Sequence, residues 1–293
     1  AGATGALGNI SMANYTSDNL STMVSKVTSG ATGALGKIKQ RDGTAFTGYF
    51  SDNLSSMVEQ VTAGATGALG KISMKDTSGN ETYDVNDLAG MIENVTAGAT
   101  GALGYISMTD ASGGGSFDAS DLSGMMSKIT AGATGALGNI SMANYTSDDL
   151  STMVEKVTAG ATGALGKIKQ RDGTAFAGYF SDNLSSMVAK VTAGATGALG
   201  KISMQNYSSD NLSSMVEKVT AGATGALGNI TMEDASGGGK FDASDLAGMV
   251  SEITAGATGA LGKIEMAGYF SDNLSSMVAK VTAGATGALG KIS

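Results

Sequence analysis

Apolar residues recur at helical spacing in one half of a repeated motif and at alternating spacing in the other. In SDNLSSMVEQVTAG, residues 51 to 64, Leu54, Met57, Val58 and Val61 stand at i, i+3, i+4 and i+7, which predicts an amphipathic helix of about three turns. Ser51 or Asp52 is placed to cap its start and Gly64 to end it. Asp residues gather at the predicted first turns, and Lys26, Lys156, Lys190, Lys218 and Lys280 fall in the predicted last turns, the polarity a helix dipole favours. An aromatic residue precedes the helical Leu by five positions in every unit, as Tyr15, Tyr49, Tyr83, Phe117, Tyr145, Tyr179, Tyr207, Phe241 and Tyr269, a place suited to pinning the chain as it enters the helix. After the glycines the pattern alternates. In ALGKISM, Ala68, Gly70, Ile72 and Met74 share one face and Leu69, Lys71 and Ser73 the other, which predicts a strand.

The motif runs through the whole chain. GATGALG begins at Gly2, Gly30, Gly64, Gly98, Gly132, Gly160, Gly194, Gly222, Gly256 and Gly284, in steps of 28 or 34 residues. These starts define nine units and a terminal partial unit, 284–293, and they predict a single repeat array over 1–293 with no internal boundary. One strand followed by one helix per unit calls for parallel strands joined by right-handed crossovers. The expected fold class is therefore α/β, a repeat solenoid of nine strand-helix units with a parallel sheet on one side and helices on the other. Parallel in-register strands would ladder the residues after GALG about 4.8 Å apart. These are Asn9, Lys37, Lys71, Tyr105, Asn139, Lys167, Lys201, Asn229, Lys263 and Lys291, and no run of Lys among them exceeds two. Residues 1–63 match 132–193 almost letter for letter, which points to block duplication. The chain begins and ends inside the same motif, as expected of an excerpt from a longer array or of a subunit whose ends match.

Composition narrows the chemistry. The 293 residues include 45 Gly and no Pro, Cys, His or Trp, and 18 Lys+Arg against 26 Asp+Glu leave a net charge of -8. Without His and Cys there is no Ser/His/Asp triad, no Cys/His nucleophile, no zinc site of the usual ligands and no disulfide framework. An acidic chain whose arginines are Arg41 and Arg171 lacks the basic footprint of a nucleic-acid binder. No run approaches the roughly 18 apolar residues of a membrane span. The first residues are already repeat sequence without a basic n-region, so any signal peptide is expected to have been removed or to lie outside this chain.

GATGALGK invites a phosphate-loop reading, which the spacing refuses. Gly64 and Gly70 enclose five residues instead of four, Ile72 replaces the Ser/Thr, and the predicted order of helix, glycines and strand is inverted. Glycines for a C-cap and close helix-to-sheet approach are the plainer explanation, with a short polyproline-II segment at Gly64, Gly67 and Gly70 as the other. The 17 methionines fall one per predicted element, as in Met57 and Met74, with Met126 besides. That spacing reads as core gap-filling in preference to a copper(I) site.

The six extra residues of the longer units lie between strand and helix, so insertions decorate one rim. Asp110, Ser112, Asp118 and Asp121 occupy positions 1, 3, 9 and 12 of a twelve-residue count, with Gly115 at 6 and Phe117 at 8. Asp234, Ser236, Asp242 and Asp245, with Gly239 and Phe241, repeat the pattern. Asp76, Ser78, Asn80, Asp84 and Asp87 form a third copy with Glu81 in place of the glycine. The pattern resembles the calcium loops of EF-hands and especially of dockerins, which likewise end in Asp followed by Leu. The resemblance implies calcium as a ligand of these oxygens. It departs from the family at position 5, which is Gly114 or Gly238, and it covers only the loop. Against it stands a Gly-rich turn whose Asp118 and Asp121 cap a helix. The insertions at Gln40 to Phe46 and Gln170 to Phe176 lack the terminal acid and are not expected to bind metal.

The expected function is structural and non-enzymatic: a secreted or surface-exposed fibre subunit, spacer or adhesin stalk, assembling end to end with itself through matching strand edges. In composition the chain is similar to exported bacterial surface and adhesin repeat proteins. The alternative is a calcium-dependent binding module whose insertion loops, with Phe46 and Phe176 exposed, recognise a surface glycan or a protein. Ice binding through a ladder of Thr66-type residues is a further reading. Near-duplicate units leave no single asymmetric pocket for an enzyme, although the Asp pairs carry glycosidase-like carboxylates. Neither a nucleic acid nor a membrane is an expected partner.

Overall fold

The computed structural model describes residues 17–35, 51–70, 85–106, 119–140, 146–165, 168, 181–202, 209–230, 243–262, 264 and 271–289. Nine α-helices follow one another among them: α1 Ser17–Leu35, α2 Ser51–Leu69, α3 Val85–Gly101, α4 Ala119–Ala136, α5 Ser147–Leu165, α6 Ser181–Ala198, α7 Ser209–Gly225, α8 Ala243–Leu261 and α9 Ser271–Leu289. Single 3-10 turns continue four of them, at Ala102–Tyr105, Leu137–Asn139, Leu199–Lys201 and Ala226–Asn229.

The described residues contain no strand, and this overturns the expected α/β solenoid with its parallel sheet. The helical face does not stop at Val61. Ala65 and Ala68 continue it at i+4 and i+7, Leu69 closes it, and all three are buried. Burial of that extended face outweighs the cost of about 1 kcal/mol for each glycine in a helix interior. Gly64 and Gly67 accordingly lie inside α2 instead of capping it, and no polyproline-II segment forms there. Tyr105, Asn139, Lys201 and Asn229, expected in a strand ladder, close 3-10 turns. The longer helices also move Lys156, Lys218 and Lys280 from the predicted last turns to mid-helix, where dipole effects fade.

The residue read as the middle of the strand has a different task. Ile106, Ile140, Ile168, Ile202, Ile230 and Ile264 each donate the backbone N–H to the carbonyl of the Leu three places earlier, at 3.0–3.3 Å. All six are buried, so the chain leaves each of these helices by plugging the core with an isoleucine. At the other end of α5, Thr146 caps the helix. Its backbone N–H and hydroxyl donate to Asp149 Oδ2 at 2.7 and 2.8 Å, and Asp149 N–H donates back to Thr146 Oγ1 at 3.2 Å. Ser147, the counterpart of Ser51, is therefore the first helical residue and not the cap.

Each helix packs chiefly on the helix two places along the chain: α1 on α3, α2 on α4, and so on to α7 on α9. The odd-numbered helices form one column and the even-numbered helices another. One core cluster joins the front halves of the odd helices, such as Leu88, Met91, Ile92 and Val95, to the tails of the even ones, such as Ala133, Leu137 and Ile140. The second cluster joins even front halves, such as Leu122, Met125 and Ile129, to odd tails, such as Ala161, Leu165 and Ile168. The helices of one column thus run parallel, and the two columns run in opposite directions. The result is a solenoid-like stack of helices in which each chain step crosses between columns. From α3 onward the methionines five residues before the mid-helix Thr-Ala pair do fill core gaps: Met91, Met125, Met153, Met187, Met215, Met249 and Met277 are all buried.

Candidate functional site

The stacking contact within a column is an interhelical arrangement that the fold builds repeatedly from the same residue types. At its centre a glycine of the upper helix rests on a backbone carbonyl of the lower one. A Cβ on Gly98 would stand 2.6 Å from the Ser25 carbonyl oxygen, and one on Gly132 would stand 2.5 Å from that of Glu59. Gly160 meets Glu93 in the same way, Gly194 meets Ser127, Gly222 meets Glu155, Gly256 meets Ala189 and Gly284 meets Glu217. Any side chain at these seven positions would force the helices apart. The glycine that begins GATGALG is therefore a contact point between backbones, at the distance where Cα–H groups approach carbonyl oxygens.

Threonines flank this contact. Thr96, Thr130, Thr158 and Thr220 present Oγ1 to the incoming glycine, and each also donates to carbonyls of its own preceding turn. Thr130 Oγ1 lies 3.0 Å from the Val191 carbonyl as well, which gives α4 a direct hydrogen bond to α6. One turn further, Thr32, Thr66, Thr100, Thr134, Thr162, Thr196 and Thr224 are fully buried, with no hydrogen-bond partner among the described residues. The Thr66-type ladder read for ice is thus internal at these seven positions, and among the described residues only Thr258 and Thr286 of that register are exposed, too few for a surface array.

Charge lines the outer edge of the contact. Lys156 Nζ lies 2.8 Å from Glu93 Oε2, Lys218 Nζ 2.8 Å from Glu155 Oε2, Lys280 Nζ 2.6 Å from Glu217 Oε2, and Lys128 Nζ 3.0 Å from Glu59 Oε2. The lysine is always one register place beyond the glutamate. In the same register Glu252 stands over Ala189, Lys190 over Ser127 and Asn94 over Ser25, so no two like charges face each other. Sequence reasoning missed these pairs, although the signal was present: three of the four recur at a separation of 63 residues.

The proposed calcium ligands are only partly within view. Asp76, Ser78, Asn80, Asp84, Asp110, Ser112, Asp118, Asp234, Ser236 and Asp242 lie outside the described residues, as do the aromatic entry residues, Phe46 and Phe176. Asp87, Asp121 and Asp245, the last position of each loop, are the third residue of α3, α4 and α8. Asp149 holds that same position in α5, in a unit with no acidic loop, where it answers the N-cap. Among the described residues no three acidic side chains come together as a metal site would need. None of the described helices is long and apolar enough to cross a membrane.

No protein-family model and no curated protein matches the chain. Among solved structures it is similar to a chain described under "Computational Design of Self-Assembling Cyclic Protein Homooligomers", at 11% sequence identity and a TM-score of 0.35, over 99% of this chain and 92% of that one.

Proposed function

We propose that this chain is a non-enzymatic structural repeat protein, a stiff spacer or fibre subunit displayed outside the cell. The observation that carries the reading is the recurrence of one helix contact, glycine on carbonyl, at seven successive steps. An array in which every contact repeats the last propagates a fixed rise and rotation, which suits a protein whose product is distance. The acidic, cysteine-free composition fits work at a surface where no disulfide is needed.

Stiffness is the property to measure. The chain has no cysteine, so Gln60→Cys on α2 and Gly248→Cys on α8 place two spin labels in one column, three steps apart. At 8–10 Å per packed helix pair, roughly 25–30 Å separates the axes. Double electron–electron resonance is expected to give one narrow distance distribution. A broad distribution, as from units joined by flexible hinges, would overturn the spacer reading.

A further inference from the structure

We propose that two copies of this protein associate head to tail, with the α1/α2 face of one seated on the α8/α9 face of the other, in the register that already joins the helices within each column. The inference deepens the structural reading above and rests on it, and it names the partner as a second copy of this chain.

The two faces are the two halves of one interface. On α9, Leu274 and Val278 are each 39% exposed and Leu289 is 43% exposed, whereas their counterparts Leu20, Val24, Leu54, Val58, Leu150 and Val154 are fully buried. Thr282 and Thr286 on the same side are exposed, and Leu246 and Val250 of α8 are only half-buried. These are the positions that lie beneath the next helix elsewhere in the stack. The opposite face shows the residues that elsewhere press down on the helix below. Met57 is 36% exposed and Met23 and Val27 are half-buried, while the matching methionines from Met91 to Met277 are buried. Gly30, the contact glycine of α1, has nothing within 4 Å of where its Cβ would be.

Continuing the register settles the pairing. The partner's α1 takes the place of the next even helix, on α8, and the partner's α2 that of the next odd helix, on α9. Gly30 then meets the Ser251 carbonyl, and Lys26 and Gln60 stand over Ser251 and Ala279, so no like charges oppose. The same face-to-face contact is made seven times inside the chain, so its shape complementarity is already demonstrated by the fold. Because the two faces differ, the contact is heterologous and leaves a free face at each end.

Two single-face variants test the proposal by sedimentation velocity from low micromolar to near-millimolar concentration. Gly30→Leu blocks only the α1/α2 face, and Val278→Glu only the α8/α9 face; both sites are open in the single chain, so circular dichroism and melting temperature are expected to match the parent. The parent chain is expected to grow with concentration. Each variant alone is expected to stay monomeric, and an equimolar mixture to stop at the dimer, since that pair retains one matching set of faces. A parent chain that is monomeric throughout, or growth that persists in either variant alone, overturns the proposal. The spin-label distance within one chain is unaffected by either result, so failure of the contact is distinguishable from failure of the spacer reading.

Discussion

Lys156 Nζ sits 2.8 Å from Glu93 Oε2 across the contact between α5 and α3, although 63 residues separate them in the chain. The pair marks which helix neighbours which more clearly than it holds them together. Its side chains are 42% and 37% exposed, and exposed pairs contribute only about 0–1 kcal/mol. Glu93→Ala is expected to lower stability by less than about 1 kcal/mol, with the effect fading in high salt. Glu93→Lys sets like charges together and is expected to cost more, and adding Lys156→Glu in the same chain should recover most of the loss. Thermal melts of the two single variants and the double variant at low and high salt check this.

The glycine contact should be far less forgiving. Gly160→Ala drives a Cβ into the Glu93 carbonyl and Thr96 hydroxyl and is expected to destabilise by roughly 1–3 kcal/mol. Gly124→Ala on α4, where nothing lies within 4 Å, is expected to stabilise by up to about 1 kcal/mol through helix propensity alone. Opposite signs for the same chemical change, measured by denaturant unfolding, would isolate the packing term.

The buried threonines divide into two groups with different expectations. Thr162 Oγ1 is buried without a partner, so Thr162→Val is expected to leave stability unchanged or to raise it. Thr130→Val removes a hydroxyl whose single proton is within reach of the Met126, Ser127 and Val191 carbonyls and is expected to cost about 1 kcal/mol. The comparison is one of unfolding free energies in otherwise identical chains.

Capping gives a fourth expectation, and it bears on calcium. Thr146→Ala or Asp149→Ala is expected to cost about 1 kcal/mol by releasing the first turn of α5. Asp121 and Asp245 share the helical position of Asp149, and the capping reading expects Asp121→Asn to behave as a mild cap change that calcium does not alter. Isothermal titration with calcium, on the parent chain and on Asp121→Asn, checks it; heat of binding that disappears in the variant would instead favour the loop as a calcium site.

The front half of every helix was legible in the sequence, because Leu54, Met57, Val58 and Val61 leave no doubt about their period. The back half was misread because the first glycine of GATGALG looks like a stop, and its real constraint comes from another helix, as where Gly160 meets the Glu93 carbonyl 67 residues away in the sequence. A glycine selected by a neighbour's carbonyl has no local signature that separates it from a C-cap. Ile106 and its counterparts misled in the same way: a buried apolar residue two places after a glycine suits a strand, and it equally suits a helix exit that plugs a core. The Glu–Lys separation was the long-range clue, since Glu93 with Lys156 and Glu155 with Lys218 repeat one spacing, and it would have placed second neighbours side by side.

Because contacts skip one helix, every helix has a parity. Removing a single unit would move all later helices into the opposite column, setting odd-column surfaces against even-column partners. Removing two would preserve every assignment. The near-duplicate blocks take both kinds of step: α1 and α2 have their copies in α5 and α6, a shift of four helices that keeps the column, whereas residues 177–203 recur letter for letter at 267–293, which sets the same helix sequence in α6 and in α9, in opposite columns. One helix sequence thus serves in either column, and its order along the chain, not its own residues, decides which column it joins.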